Sequence, residues 1–183
     1  MTTEEIPLDA PLAQRIADAV ERYGVQRVIG MAVGLLEGRN EGDDILLYLG
    51  GRHARGVLDG APPLYWPELW GARALSVVWP DAEPDSATSA VLAGLGNQAW
   101  RVREMCAKVC AAHGVGDTGS LSAVLTDEVP RVRSAAARAL AEIGTAEQMD
   151  AIRALLKDAD KDVRRAAQQS LDRLRDRTRP AAD

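Results

Sequence analysis

Two cysteines and a histidine have the spacing of metal ligands on one helix. Cys106, Cys110 and His113 follow a C-x-x-x-C-x-x-H pattern, so successive members lie about one turn apart on the same face. Two thiolates and an imidazole suit a soft metal ion such as Zn²⁺, which takes a fourth ligand in a structural site. His53 or a carboxylate would have to supply it. The alternative is that the two thiols fill apolar core positions and that His113 lies near the helix end.

A repeat with a period of 30 or 31 residues distinguishes these alternatives. Four helical segments align with one another at Trp70, Trp100, Pro130 and Lys161. The positions equivalent to Cys106 hold alanine and those equivalent to Cys110 hold leucine in the two later segments, at Ala136, Ala167, Leu140 and Leu171. We therefore expect buried thiols, no metal ion and no cofactor.

The composition favours an all-α fold. The 183 residues include no Phe, so Ala and Leu must fill most of the interior, which suits closely packed helices better than a sheet. Shorter amphipathic segments lie between the repeated helices, at 86–95, 119–125 and 146–156. Each unit is thus a helical hairpin, and a hairpin of this size buries its apolar face only by stacking on its neighbours. The sequence predicts an α–α superhelix, a short solenoid of stacked hairpins.

The repeated pattern resembles that of a known family. An Asp is followed five and six residues later by a Val-Arg pair, then by Ala and Leu positions and a final Gly. This pattern resembles the HEAT repeats, in the short bacterial form first described in phycobilin lyases. The segment WRVREMCAKV is also similar to uncharacterised actinobacterial HEAT-repeat proteins. The resemblance implies a superhelix that binds other macromolecules, with the second helix of each hairpin on its concave side.

Three regions are predicted along the chain. Residues 1–61 form a helical N-terminal capping region, residues 62–176 form about four HEAT-like units, and residues 177–183 form a frayed tail. In the capping region the apolar spacing predicts helices over 9–23 and 25–37.

Three glycines, Gly30, Gly34 and Gly38, are spaced four residues apart around the second of these helices. Glycine weakens a helix by ~1 kcal/mol relative to Ala, so we expect a neighbouring backbone to pack closely against them.

Arginines and short polar residues recur with the repeat. The arginines are Arg73, Arg103, Arg133 and Arg164, and the polar residues that precede the helices are Asn97, Asp127 and Asp158. We expect a structural ladder, in which each short side chain caps its helix and each guanidinium reaches a cap or a carbonyl of the adjoining repeat.

A second group of residues faces away from the predicted core. Taking Val102 as zero and advancing 100° per residue, the cations fall at about 240 to 260°. They are Arg101, Lys108, Arg131 and Arg138. Trp70 and Trp100 align with each other on a neighbouring face. These tryptophans either pack on a preceding loop or anchor a partner together with the cations.

These features favour a non-enzymatic scaffold. We find no glycine-rich phosphate loop, no nucleophile elbow and no His-Glu pair of the kind that binds metal in deoxyhypusine hydroxylase, a HEAT-like enzyme. We expect a protein or peptide partner, with an acidic segment as one option, on the concave face.

Nucleic-acid binding in the manner of HEAT-like alkylpurine DNA glycosylases is the alternative. Residues 1–96 hold 7 basic and 14 acidic residues, whereas 97–183 hold 15 and 13, so positive charge for it is scarce. With no apolar run long enough for a membrane span and no signal peptide, a cytoplasmic location is expected.

Overall fold

A computed structural model describes residues 6–80 and 85–179, and these two ranges contain eleven α-helices and no strand. The all-α prediction is confirmed. The chain divides into two compact units, residues 1–90 and 91–183, and each is considered by itself below.

The first unit is built from five helices and the start of a sixth. They are α1 (Leu12–Tyr23), α2 (Val25–Leu36), α3 (Asp43–Gly50), α4 (Arg52–Leu58), α5 (Trp66–Leu75) and α6 (Asp85–Gly94), which ends in the second unit. Both helices predicted for the capping region are present. The proposed boundary between cap and repeats at residue 61 stays a prediction.

Helices α2 and α5 approach each other closely through a glycine. A Cβ atom on Gly71 of α5 would lie 2.5 Å from the carbonyl oxygen of Ala32 in α2, so only glycine fits there. The glycines expected to make such a contact do not make it. Gly30 has open space beside it, Gly34 faces the flexible side chain of Glu41, and Gly38 lies beyond the helix end with φ of 78°. Helical spacing alone did not distinguish a packed glycine from an exposed one.

The second unit contains the regular repeats. Its long helices are α7 (Trp100–His113), α9 (Pro130–Ile143) and α11 (Lys161–Thr178), and its short helices are α8 (Thr118–Ala123) and α10 (Met149–Ala154). The 3₁₀ turns Val124–Thr126, Ala146–Gln148 and Leu155–Lys157 flank the short helices. Helix α9 packs between α7 and α11.

Equivalent apolar residues of the three long helices form one core. Val102, Val132 and Val163, which the repeat aligns, are each 0% exposed. Alternating long and short helices that share a buried face are stacked hairpins, consistent with the predicted α–α superhelix.

Helix α11 is longer than the sequence suggests. The apolar pattern predicts a tail from residue 177, but α11 continues to Thr178. Arg177 Nε donates to the Ala141 carbonyl at 3.1 Å, and Thr178 Oγ1 donates to the Leu174 carbonyl at 2.8 Å. These polar contacts extend the helix where the apolar stripe has ended. The end of the predicted tail, 180–183, lies outside the described residues.

Candidate functional site

The cysteines of α7 belong to the core. Cys106 and Cys110 are both 0% exposed. Burial raises the pKa of both thiols, that of Cys110 to about 12, so they stay protonated near neutral pH. His113 is only partly buried at the last position of α7. Within residues 6–80 and 85–179 no cluster of His, Cys, Asp and Glu side chains could hold a metal ion. The thiols therefore act as small apolar groups.

The predicted arginine ladder joins neighbouring repeats in the second unit. Arg103 of α7 reaches the loop before α9, where its Nε and Nη2 donate to the two carboxylate oxygens of Asp127 at 2.7 and 3.0 Å. Its Nη1 donates to the carbonyls of Asn97 and Gln98, each at 3.0 Å. One guanidinium thus fixes the loop before its own helix to the loop before the next.

Arg133 repeats this arrangement one unit later. Its Nε and Nη2 donate to Asp158 at 2.8 and 2.7 Å, and its Nη1 donates to the carbonyls of Asp127 and Glu128 at 2.7 and 3.2 Å. The Arg133 and Asp158 side chains are only 15% and 8% exposed. Bidentate pairs shielded in this way are stronger than ordinary surface ion pairs.

The other two ladder arginines, Arg164 and Arg73, differ from these. Arg164 donates through Nη1 to the carbonyls of Asp158 and Ala159, at 2.7 and 2.9 Å. Arg73 is exposed on α5 in the first unit. The guanidinium pattern is therefore complete at Arg103 and Arg133.

The short polar residues of the ladder are not helix caps in the predicted sense. Ala99, Val129 and Asp160 occupy the N-cap positions. The ladder side chains instead accept from the backbone N–H two residues later, ahead of the helix, each at 2.8 Å. The Ala99 N–H donates to Asn97, the Val129 N–H to Asp127 and the Asp160 N–H to Asp158. Each of these polar residues lies two positions before the N-cap, too far from the helix to cap it. They stabilise the turn that leads into the helix instead.

Ion pairing lowers the pKa of the ladder carboxylates. At Asp158 the hydrogen bond from Arg133 is the main cause of a pKa below the usual value. At Asp127 burial acts to raise the pKa, but hydrogen bonds from Arg103 and the Val129 N–H outweigh it. Both carboxylates are therefore charged at neutral pH.

The outer face of α7 and α9 brings together part of the predicted patch. The Arg101 and Arg131 guanidinium carbons lie 4.4 and 5.4 Å from the centre of the Trp100 ring. Both distances are within the range of cation–π attraction. Trp100, which is partly exposed, thus holds two cations from neighbouring repeats.

A buried glutamate beneath these cations was missed in the sequence. Glu104 is 7% exposed, and its Oε1 accepts from Lys108 Nζ at 2.7 Å and from Arg131 Nε at 3.1 Å. The signal that could have found it is the spacing of four residues to Lys108, which places the two charges on one helix face. Glu104 fixes both cations and cancels part of their charge.

Beside this carboxylate lies an open groove of about 370 Å³ on the faces of α9 and the start of α11. Its further lining includes Ser134 and Arg138 of α9 and Arg165 of α11. The carboxylates of Asp160 and Asp162 also line the groove. Asp162 pairs with Arg165 at 3.2 Å, and Asp160 accepts hydrogen bonds from N–H groups of α11. The groove therefore carries a small positive excess with both signs of charge interspersed.

Trp70 does not belong to an exposed surface. It is 2% exposed, and its ring lies 5.5 Å from that of His53 and 6.4 Å from that of Trp66. A Cβ on Gly50 would come within 2.8 Å of the Trp70 ring, so this glycine makes room for it. The prediction that Trp70 is a candidate partner-binding residue is therefore wrong. Trp70 packs inside the first unit because the helix turn at Gly50 leaves a space for its indole.

Sequence comparison finds a match for the repeated part of the chain. A sequence profile of HEAT repeats matches residues 88–172. Residues 88–172 are HEAT repeats. The resemblance seen in the Val-Arg pattern is confirmed for this part of the chain, and HEAT repeats generally mediate protein–protein interaction.

A solved structure has a similar fold. The crystal structure of an engineered protein from a structural genomics consortium shares 20% identity with the chain and covers 94% of it and 87% of that protein, with a TM-score of 0.57. At this identity the likeness concerns the fold alone. No curated protein sequence matches the chain. In the described ranges, no helix is both long and apolar enough to cross a membrane.

Proposed function

We propose that the HEAT repeats bind a partner protein on the outer face of α7 and α9. The face consists of Trp100, Arg101, Lys108, Arg131 and Arg138, and we call it the cationic face. The resemblance assigns these second helices to the concave side of the fold. An acidic segment of the partner is the complement of this face.

The position of Arg131 is the observation that carries the proposal. Its side chain is 65% exposed, yet it is attached both to the buried Glu104 and to the Trp100 ring. A long flexible side chain normally loses rotamer freedom when it is bound, and that loss opposes association. Because Arg131 is already held in place, a partner carboxylate meets an ordered guanidinium.

The acidic residues of the groove argue against a nucleic-acid track. Glu104, Asp160 and Asp162 interrupt the row of cations, whereas a phosphate backbone needs continuous positive charge. On this charge argument, nucleic-acid binding is the weaker alternative.

The experiment compares charge reversals inside and outside the cationic face. The double variant Arg101→Glu/Arg131→Glu should lose the partners that the wild type retains in a pull-down from the source cells. Arg39→Glu/Arg153→Glu, which reverses two exposed charges outside the cationic face, is the matched control and should retain them. Identical partners for all three proteins would refute the role of the face.

A second measurement addresses the alternative. A labelled DNA duplex is titrated at low and at moderate salt. If the wild type binds the duplex at moderate salt and the double variant does not, the partner of the cationic face is a nucleic acid rather than a protein. Absence of binding at both salt concentrations removes the nucleic-acid alternative.

A further inference from the structure

Arg164, the fourth arginine of the ladder, makes only part of the hydrogen bonds that Arg103 and Arg133 make. At Arg103 and Arg133, Nη1 bonds two carbonyls of the preceding loop, while Nε and Nη2 hold an aspartate of the next repeat. Arg164 makes the first half of this pattern, with Nη1 on the Asp158 and Ala159 carbonyls. Among the described residues, none accepts from its Nε or Nη2.

We propose that Arg164 is a binding site for an aspartate carboxylate in a turn of a partner protein. Its two carbonyl bonds are those of the two completed rungs, where the opposite edge of the guanidinium holds Asp127 and Asp158. A planar fork of this kind binds a carboxylate through two parallel hydrogen bonds. The site involves none of the residues of the cationic face, and it stands or falls independently of the function proposed above.

The surroundings of Arg164 favour an anion. Lys161 lies one turn before it and is exposed. The neighbouring acids are already engaged, since Asp160 accepts from the N–H groups of Asp162 and Val163, and Asp162 pairs with Arg165. An incoming carboxylate therefore meets cations whose nearby counter-charges are held elsewhere.

The exposed side of α11 indicates how a partner approaches. Below Arg164 on the same helical stripe lie Gln168, Asp172 and Arg175, which are exposed and bonded to one another. This polar stripe offers no apolar surface on which another helix could stack. The recognised feature is thus a single turn that presents its carboxylate to the guanidinium, rather than a stacked helix.

The test observes the Arg164 Nε–Hε group directly by NMR in the full chain. The probe is a blocked hexapeptide, Leu-Thr-Asp-Gln-Val-Pro, which copies residues 125–130 with Gln in place of Glu128 so that the aspartate is its sole charge. A peptide with Asn instead of Asp is the control, and Arg164→Lys assigns the signal. Arg55, an exposed arginine in the first unit, reports non-specific effects of the peptide.

We expect the Asp peptide to shift the Arg164 signal along a saturating curve, and this shift should exceed both the shift at Arg55 and the shift that the Asn peptide causes, because a carboxylate accepts stronger hydrogen bonds from a guanidinium than a neutral amide does. Equal shifts at Arg164 and Arg55, or equal shifts with the two peptides, would overturn the proposal. Loss of partners in the pull-down of the cationic face bears only on that face.

Discussion

Arg133 and Asp158 connect two repeats through hydrogen bonds of 2.8 and 2.7 Å, with both side chains mostly buried. Arg164 occupies the equivalent position one repeat later and is exposed. The same residue type at the same position therefore has a different energetic role depending on whether a following repeat supplies a carboxylate.

This difference predicts unequal effects of the same substitution. Arg133→Ala should lower the free energy of unfolding by about 3 kcal/mol, because it leaves the Asp158 carboxylate shielded from water without its partner. Arg164→Ala should cost about 1 kcal/mol or less, as is usual at exposed sites. Urea unfolding followed by circular dichroism measures both. Equal losses would mean that the ion pair with Asp158 contributes nothing beyond the carbonyl bonds.

The ladder also predicts acid sensitivity. The pKa of Asp158 is lowered in the folded protein by its bond from Arg133, so its contribution is present above the unfolded value of about 3.9 and is lost as the pH falls through the folded value. We expect the melting temperature to fall in this range below about pH 4.

The matched variant for this prediction is Asp158→Asn, which keeps a hydrogen-bonding oxygen but has no acid group. It should be less stable than the wild type at pH 7 and should lose less stability on acidification. A wild type and a variant with parallel pH profiles would show that other carboxylates cause the acid response.

Glu104 predicts non-additive effects on the cationic face. Lys108→Ala and Arg131→Ala should each cost under about 1 kcal/mol, because their side chains are 45% and 65% exposed and each leaves Glu104 one cation. The double variant leaves the buried carboxylate without either, and its loss should exceed the sum of the single losses by about 1 kcal/mol.

Adding Glu104→Gln to the double variant provides the control, because it removes the buried charge itself. The triple variant should recover part of the lost stability in urea unfolding. Additive single losses and no recovery would show that water already compensates the Glu104 charge.

Ser170 is a polar residue at a buried core position. It is 2% exposed on α11, and its hydroxyl has no hydrogen-bond partner within the described part of the chain. The equivalent position of the preceding repeat holds Ala139, which is 0% exposed. Ser170→Ala should raise the free energy of unfolding by about 1 kcal/mol, because it removes an unsatisfied buried polar group. A lower midpoint in thermal or urea unfolding would contradict this explanation.

The periodicity of the sequence was enough to predict several features. A repeat of 30 or 31 residues aligned Cys106 with alanines and placed it in the core, and the same alignment identified the arginine ladder, because repeated units must bury the same face against each other. It also placed Arg101 and Arg131 on one outer surface.

Other features depend on side chains that meet in space and that the repeat alignment does not specify. Trp70 and Trp100 align in sequence, yet Trp70 is buried against His53 and Gly50 whereas Trp100 lies under arginines. Glu104 accepts a hydrogen bond from Arg131 of the next repeat, and the helical spacing within α7 does not contain this contact. Burial and pairing are properties of the surrounding side chains in space, and the helical period of a single segment does not contain them.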